Sequence, residues 1–443
     1  MPPDPPADTL TRIRARGHIG IRLGLGRMRA LLGRLGDPQQ RLHGVLIGGT
    51  NGKGSVAAMT TAMLAAAGYS TGSSPSPHLH SYRERVTIDG RPCAPEDLEA
   101  LLTEVLAASV PGEDAFGPAT EFELMTAAAY LWSARQDVDV MVMEVGLGGR
   151  LDASNTWDAE VVAVTNVGLD HQEYLGDTIV SVAAEKAAII KRGARAVTGA
   201  QGQALETVAG RADEVGVPLD VRAQLPVIAA DRAGVLLEHP RLGGLRLPLL
   251  GRHQAANAAV ALGVVEALGA SGVAQVSDDA IRAGFAATNW PGRLELLEYD
   301  GLVVLVDGAH NPDGMAALAD TLDELAPSLP DGRLTLLLGV MRDKEVDRML
   351  SALAGPARLR DARCFATGVP ETERTLPAAA LAGRWEAVSG VEACPVDDAD
   401  EALERALASA AREDGVLVVA GSLYLVGHLR ARLVSGAISD TDA

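Results

Sequence analysis

Residues 44–55 read Gly44-Val45-Leu46-Ile47-Gly48-Gly49-Thr50-Asn51-Gly52-Lys53-Gly54-Ser55. Val45, Leu46 and Ile47 form a short apolar run suited to a buried strand, Gly48, Gly49 and Gly52 permit a tight turn, and Lys53 and Ser55 stand where a helix should begin. A glycine-rich turn between strand and helix aims several backbone N–H groups at one point, and the helix N-terminus adds partial positive charge there. The stretch therefore predicts a phosphate cradle, with Lys53 as a point charge for the outer phosphates and the Ser55 hydroxyl offered to magnesium. Its spacing departs from the P-loop pattern: three residues separate Gly48 from Gly52, and Gly54 intervenes between Lys53 and Ser55.

Outward from the cradle, residues 55–67 are rich in Ala, Met and Thr and stop at Gly68, as a helix closed by glycine should. Residues 138–143, Val-Asp-Val-Met-Val-Met, read as a strand leading to Glu144 and a glycine-rich turn. A carboxylate at the C-terminal end of a strand lies where open α/β sheets bind ligands, so Glu144 is the expected magnesium ligand. A second such strand, Val161 to Val167, leads to Gly168-Leu169-Asp170-His171; read alone, His171 is a structural histidine, because imidazole suits softer metals. Ser74-Pro75-Ser76-Pro77-His78-Leu79 is extended by its prolines, and Thr120-Glu121-Phe122-Glu123 reads as a helix N-cap. Residues 179–190 read as a helix carrying Glu185 and Lys186.

A chain of 443 residues exceeds one ordinary core, and two domains are expected. No apolar run approaches the roughly 20 residues of a membrane span, and Met1 to Asp8 lack a secretory signal. Three cysteines, Cys93, Cys364 and Cys394, are odd in number and far apart, which suits reduced thiols in a cytoplasmic protein. The net charge of −19, from 39 basic and 58 acidic residues, argues against a nucleic-acid binder. Only Lys53, Lys186, Lys191 and Lys344 are lysine, with arginine at every other basic position, so lysine is expected where a compact, tunable amine matters.

Residues 1–43 begin with a proline-rich tail and continue as a helix containing Ile21, Leu23, Leu25, Met28, Leu31 and Leu32. Residues 225–250 hold short β-like runs suited to a small antiparallel appendage, followed by helices over about 252–268 and 277–288. Pro and Gly interrupt the pattern near 290–300, which sets domains of 1–295 and 296–443. Beyond it, strands near 302–306, 334–339, 363–367 and 416–420 alternate with helices near 313–326, 345–354, 398–412 and 423–434, a second parallel α/β unit.

Taken together these segments resemble the folylpolyglutamate synthase and dihydrofolate synthase family of the Mur ligase superfamily. The motifs are Leu23-Gly24-Leu25, Gly49 to Ser55, Ser76 to Leu79 with Arg83-Glu84-Arg85, Glu144 to Asp152, and Gly168 to His171. They continue with Glu185-Lys186-Ala187, His253-Gln254 with Asn257, Trp290 to Arg293, Asp307 to Pro312 and Gly421-Ser422. The resemblance implies an α/β fold, in which a P-loop ATPase domain with a parallel sheet precedes a smaller Rossmann-like domain. It implies ATP held by Thr50, Asn51, Gly52, Lys53, Gly54 and Ser55, with Asn257, Arg293 and Asp307 contributing. It also implies magnesium ligands at Ser76, Glu144 and His171, which join Ser55 in serving two ions, and a carbamate on Lys186. Acceptor contacts fall at Arg22, Leu23, Gly24, Thr120, Glu121, Phe122, Glu123, Leu151, Asp152 and Ala153. Lys53, Lys186, Arg293 and His310 are the catalytic set. Three departures stand out: Ala188 where glycine is usual, Gly26 where glutamate is usual, and Arg22 where some members have aspartate.

The reaction so implied is ATP-dependent amide formation. The acceptor carboxylate is phosphorylated and the L-glutamate amine displaces phosphate, with 7,8-dihydropteroate, reduced folates, or both as acceptors. Closure between the domains should bring Asp307 and His310 toward the nucleotide and exclude water. A monomer without nucleic-acid or membrane partners is expected. A peptidoglycan Mur-type amino-acid ligase is the alternative, but it would need a UDP-sugar domain ahead of the P-loop, where only 47 residues precede Gly48.

Overall fold

Every position of the strand Gly44–Gly48 is buried, so its apolar run needs cover on both faces, which a parallel sheet between helices supplies. The computed structural model describes residues 8–110, 113–370, 372–434 and 436. The expected proline-rich tail at residues 1–7 lies outside the described residues. Among the described residues Gly44–Gly48 is central in an eight-stranded sheet. The order across it is Arg91–Pro92, Thr87–Ile88, Thr71–Ser74, Val140–Glu144, Gly44–Gly48, Val161–Val164, Arg195–Thr198, Leu219–Val221. From Thr71–Ser74 onward the strands run parallel, while the two short edge strands pair antiparallel.

Register decides what meets the turn after Gly48. Ile47 pairs with Glu144 and Gly48 with Val164, so both neighbouring strands end level with the glycine-rich loop. The chain goes from Gly44–Gly48 to one side of the sheet and then crosses to the other at Val161–Val164. That reversal is the switch point at which loops diverge and leave a crevice beyond the strand ends.

The helix Lys53–Ala66 follows the loop, as the sequence predicts. Thr120 caps the helix Glu121–Arg135 in a capping box with Glu123. The single helix expected near the N-terminus is broken into Thr9–Arg14, a tighter turn Ala15–Ile19 and Gly26–Arg34. Residues 20–25 are not helical: Gly20 and Gly24 hold φ of 67° and 141°, and the Gly24 N–H donates to Leu151 O at 3.4 Å. The strand expected over 161–167 stops at Val164, where Thr165 and Asn166 bond the glycine-rich loop instead, and the helix expected over 179–190 stops at Ala187, with Ile189 and Ile190 buried beyond its end.

The described chain divides into two compact units: residues 8–224 with Ala256–Phe285, and Leu225–Ala255 with residues 286–434. The short runs near 225–250 form the antiparallel sheet Val227–Asp231, Gly234–His239 and Gly243–Leu247, and it belongs to the second unit. That unit also holds a six-stranded sheet ordered Glu295–Tyr299, Leu302–Asp307, Leu417–Ala420, Thr335–Leu338, Arg363–Thr367, Ala393–Val396. Its first strand is antiparallel, which the reading of a purely parallel unit missed. The signal was present: Asp300-Gly301, with φ of 49° and 80°, is a two-residue hairpin turn. Arg430 then grips Glu295 through two hydrogen bonds of 2.6 and 2.7 Å, fixing this edge.

Candidate active site

The glycine-rich loop is held from both sides. Gly49 and Gly52 have φ of 143° and 81°, and a side chain at either would collide, with Thr165 Oγ1 and Asn257 Oδ1 respectively. Thr50 N–H donates to Asn166 O at 2.9 Å, Asn51 N–H to Asn166 Oδ1 at 2.8 Å, and Thr165 Oγ1–H to Asn51 O at 2.7 Å. Thr50 Oγ1 donates to Gly168 O and accepts from Gly168 N–H, each at 3.0 Å. The reading of 161–167 as continuous strand hid Thr165 and Asn166. The switch from four apolar residues to Thr-Asn was the available signal.

Two amines converge on one carbonyl. Lys53 Nζ donates to Gly49 O at 3.3 Å and to Thr50 O at 3.2 Å, and Lys186 Nζ donates to Gly49 O at 2.9 Å. Lys186 is only 4% exposed. Burial, and secondarily the nearby Lys53 charge, pull its amine down to about 7. Glu144 Oε1 stands 3.9 Å from Lys53 Nζ, while Oε2 accepts from Ser76 N–H at 3.2 Å. Ser55 is buried in the first turn of the helix. His171 has a left-handed backbone, its N–H donates to Asp170 Oδ1 at 2.8 Å, and its Nε2 is 3.9 Å from the same oxygen.

This donor set suits a hard divalent ion. Among the described residues no three His, Cys, Asp or Glu side chains are gathered around a metal position. What the loop offers is one buried carboxylate and hydroxyl oxygens. That is the arrangement for an ion that takes its other ligands from phosphate and water.

Several of the residues expected to contact the acceptor lie around the N-terminal segment. Arg27 Nε lies 3.1 Å from both Glu123 oxygens, and its Nη2 donates to Arg22 O at 2.6 Å. Glu121 accepts from Tyr82 Oη at 3.0 Å and lies 3.5 Å from Arg85 Nη1. Phe122 packs so close to Gly146 that a side chain there would meet its ring. In the second unit, the buried Asp307 carboxylate accepts from Leu294 N–H at 2.8 Å and Ala309 N–H at 2.9 Å; burial raises its pKa while Arg293 opposes. Arg293 lies against Gly308, and His310 Nδ1 donates to Gly308 O at 2.8 Å.

Residues 117–265 match the Mur ligase middle domain and residues 292–423 the Mur ligase glutamate ligase domain. The dihydrofolate synthase/folylpolyglutamate synthase of Bacillus subtilis is 32% identical over 436 residues, covering 96% of this chain and 98% of that protein. This chain belongs to the folylpolyglutamate synthase/dihydrofolate synthase family of Mur ligases. Among solved structures, Mycobacterium tuberculosis folylpolyglutamate synthase complexed with ADP aligns at a TM-score of 0.87 and 33% identity, covering 97% of this chain and 99% of the other. A bifunctional folylpolyglutamate synthase/dihydrofolate synthase with Mn, AMPPNP and L-glutamate bound aligns at 0.81 and 29% identity, covering 97% and 98%.

Within this folylpolyglutamate synthase fold, two lysine and carboxylate positions brace the site. Lys191 Nζ donates to Asn155 O at 3.0 Å and Trp157 O at 2.7 Å and pairs with Asp158 at 2.6 Å, a cluster suited to the three donors of an ammonium. Asp152, expected as an acceptor contact, is buried with its carboxylate accepting from Leu147 N–H at 2.8 Å and from Ser154 N–H at 2.9 Å and its hydroxyl. Burial raises its pKa against those bonds. Asp152→Ala is expected to lose about 2 to 3 kcal/mol of stability, read as a shifted urea midpoint at unchanged m-value.

Two half-buried histidines set the acid limit. Burial, aided by the Arg85 and Arg14 charges, lowers His78 to about 2, and burial lowers His253 to about 4. Both folded values lie below the ordinary 6.5, so the unfolded chain takes up protons first. Their contribution is present above pH 6.5 and is lost as pH falls toward 4 and below. The melting temperature should drop between pH 7 and pH 5, with a shallower slope in His78→Gln.

Proposed function

We propose that this chain is an ATP-dependent ligase adding L-glutamate to folates and to 7,8-dihydropteroate through an acyl phosphate. The observation that carries the reading is the convergence of Lys53 and Lys186 on Gly49 O beside Glu144, at the switch point of a Mur ligase sheet. A peptidoglycan ligase is set aside, since a nearly full-length relative is a folate enzyme.

The loop N–H groups not committed to Asn166, and the Lys53 ammonium, bind the outer phosphates of ATP. Asn257, Arg293 and Asp307 are assigned as further ATP contacts, and His310 as a catalytic group with its Nδ1–H held by Gly308 O. Ser55, Ser76, Glu144 and His171 would hold two magnesium ions. When bound, magnesium offsets charge on the transferred phosphoryl group. The substrate carboxylate is the nucleophile, so positioning supplies much of the rate and no protein nucleophile is assigned. Lys186, half neutral near pH 7, is a competent amine for carbamate formation beside the Lys53 cation. The enzyme is placed in the cytoplasm, as a monomer.

The test is glutamate incorporation by purified protein with ATP and magnesium, offering 7,8-dihydropteroate and a reduced folate monoglutamate in parallel. Product from both supports a bifunctional synthase. Product from one narrows the acceptor, and product from neither with ATP bound rejects the proposal.

A further inference from the structure

Gly26, the position at which this sequence departs from the usual glutamate, faces an aromatic ring. A Cβ built there would lie 3.1 and 3.2 Å from Phe116 Cε1 and Cδ1, so any side chain at 26 must move that ring. The reverse contact holds one residue further on: a Cβ at Gly117 would lie 2.9 Å from Arg22 Nη1. Each segment thus supplies a bare backbone for the other's large side chain, and residues 22–26 and 116–117 interlock. Arg22 O is held by Arg27, which also grips Glu123, and Gly24 N–H reaches Leu151 O. Phe116 is nevertheless 49% exposed, a large apolar side chain that meets Gly26 through Cε1 and Cδ1 and leaves the rest of its ring open.

From this juxtaposition we infer that Phe116 is a specificity-determining residue for the acceptor, whose conjugated ring system stacks on the open face of the Phe116 ring. The inference rests on the folate-ligase reading of the site. An exposed aromatic ring interlocked with residues 22–26 offers a planar heteroaromatic acceptor offset stacking, and the small residue at 26 is what lets the ring lie there. Gly26 and Arg22, two departures from the family pattern, are then one structural change.

The experiment is steady-state kinetics of the full-length enzyme and its Phe116→Ala, Phe116→Leu and Phe116→Tyr variants, with each acceptor in turn. Phe116→Ala should raise the acceptor KM about tenfold, the effect of losing one aromatic pair, with the KM values for ATP and glutamate unchanged. Phe116→Tyr should stay within about twofold of the parent, and Phe116→Leu should recover little. An unchanged acceptor KM in Phe116→Ala overturns the inference. So does full recovery by leucine, which marks packing and not stacking, or a parallel rise in the ATP KM, which marks a structural role. If the parent enzyme incorporates glutamate into neither acceptor, the functional reading itself fails and the inference falls with it. A working parent with an indifferent Phe116→Ala removes the inference alone.

Discussion

Lys186→Ala is expected to abolish ligation, by about 10³-fold or more in kcat, equivalent to roughly 4 kcal/mol of barrier, and Lys186→Glu to recover part of it. The expectation follows from where the amine stands. Lys186 Nζ and Lys53 Nζ both donate to Gly49 O, so two cations share one acceptor in a buried place, and the Lys186 amine falls to about 7. A lysine serving only as a charge would gain nothing from that environment. An amine destined for a carbamate would, because its neutral form is the one that reacts. A carbamate on Lys186 would place a negative charge near Lys53, and glutamate at 186 would supply that charge at similar reach. Glutamate incorporation is the readout, alongside a carbamate signal in ¹³C NMR after labelling with bicarbonate. Full activity in Lys186→Ala would sink the carbamate, whereas a dead Lys186→Glu with an intact fold would limit Lys186 to a cationic role.

Glu144→Ala carries the second large effect, a loss of about 10²–10³ in kcat with the magnesium titration displaced to higher concentration. Glu144 ends its strand opposite Ile47, so its carboxylate emerges beside the loop with Oε1 3.9 Å from Lys53 Nζ and Oε2 accepting from Ser76 N–H. Removing it withdraws the buried anion that faces the Lys53 amine and strands one backbone donor. A melting temperature close to the parent's separates lost metal binding from a disturbed fold. If the folded variant keeps the parent's magnesium dependence, Glu144 is no metal ligand.

Much of the architecture was legible because it is written locally. Apolar runs bounded by Gly, Pro and Asp marked the strands, and the helix over Leu423–Leu433 came within a residue of its expected span. Errors arose where a side chain's partner is remote. Residues 20–25 read as helix from their leucines, but Gly24 instead bonds Leu151, and Val161 to Val167 read as one strand although Thr165 and Asn166 turn to the loop. Asp300-Gly301 shows the converse, a local hairpin signal passed over at an expected domain boundary.

The sequence alone determined the strand–turn–helix of residues 44–66, the strand-end carboxylate at Glu144 and the two-unit α/β plan. Glycine spacing and hydrophobic period act over neighbouring residues. Only the tertiary structure decided that Lys186 meets a carbonyl 137 positions away, that its amine is depressed by burial and by Lys53, and that Phe116 fits onto Gly26. Desolvation and close contact depend on which distant groups packing brings together, and no local pattern encodes that distance.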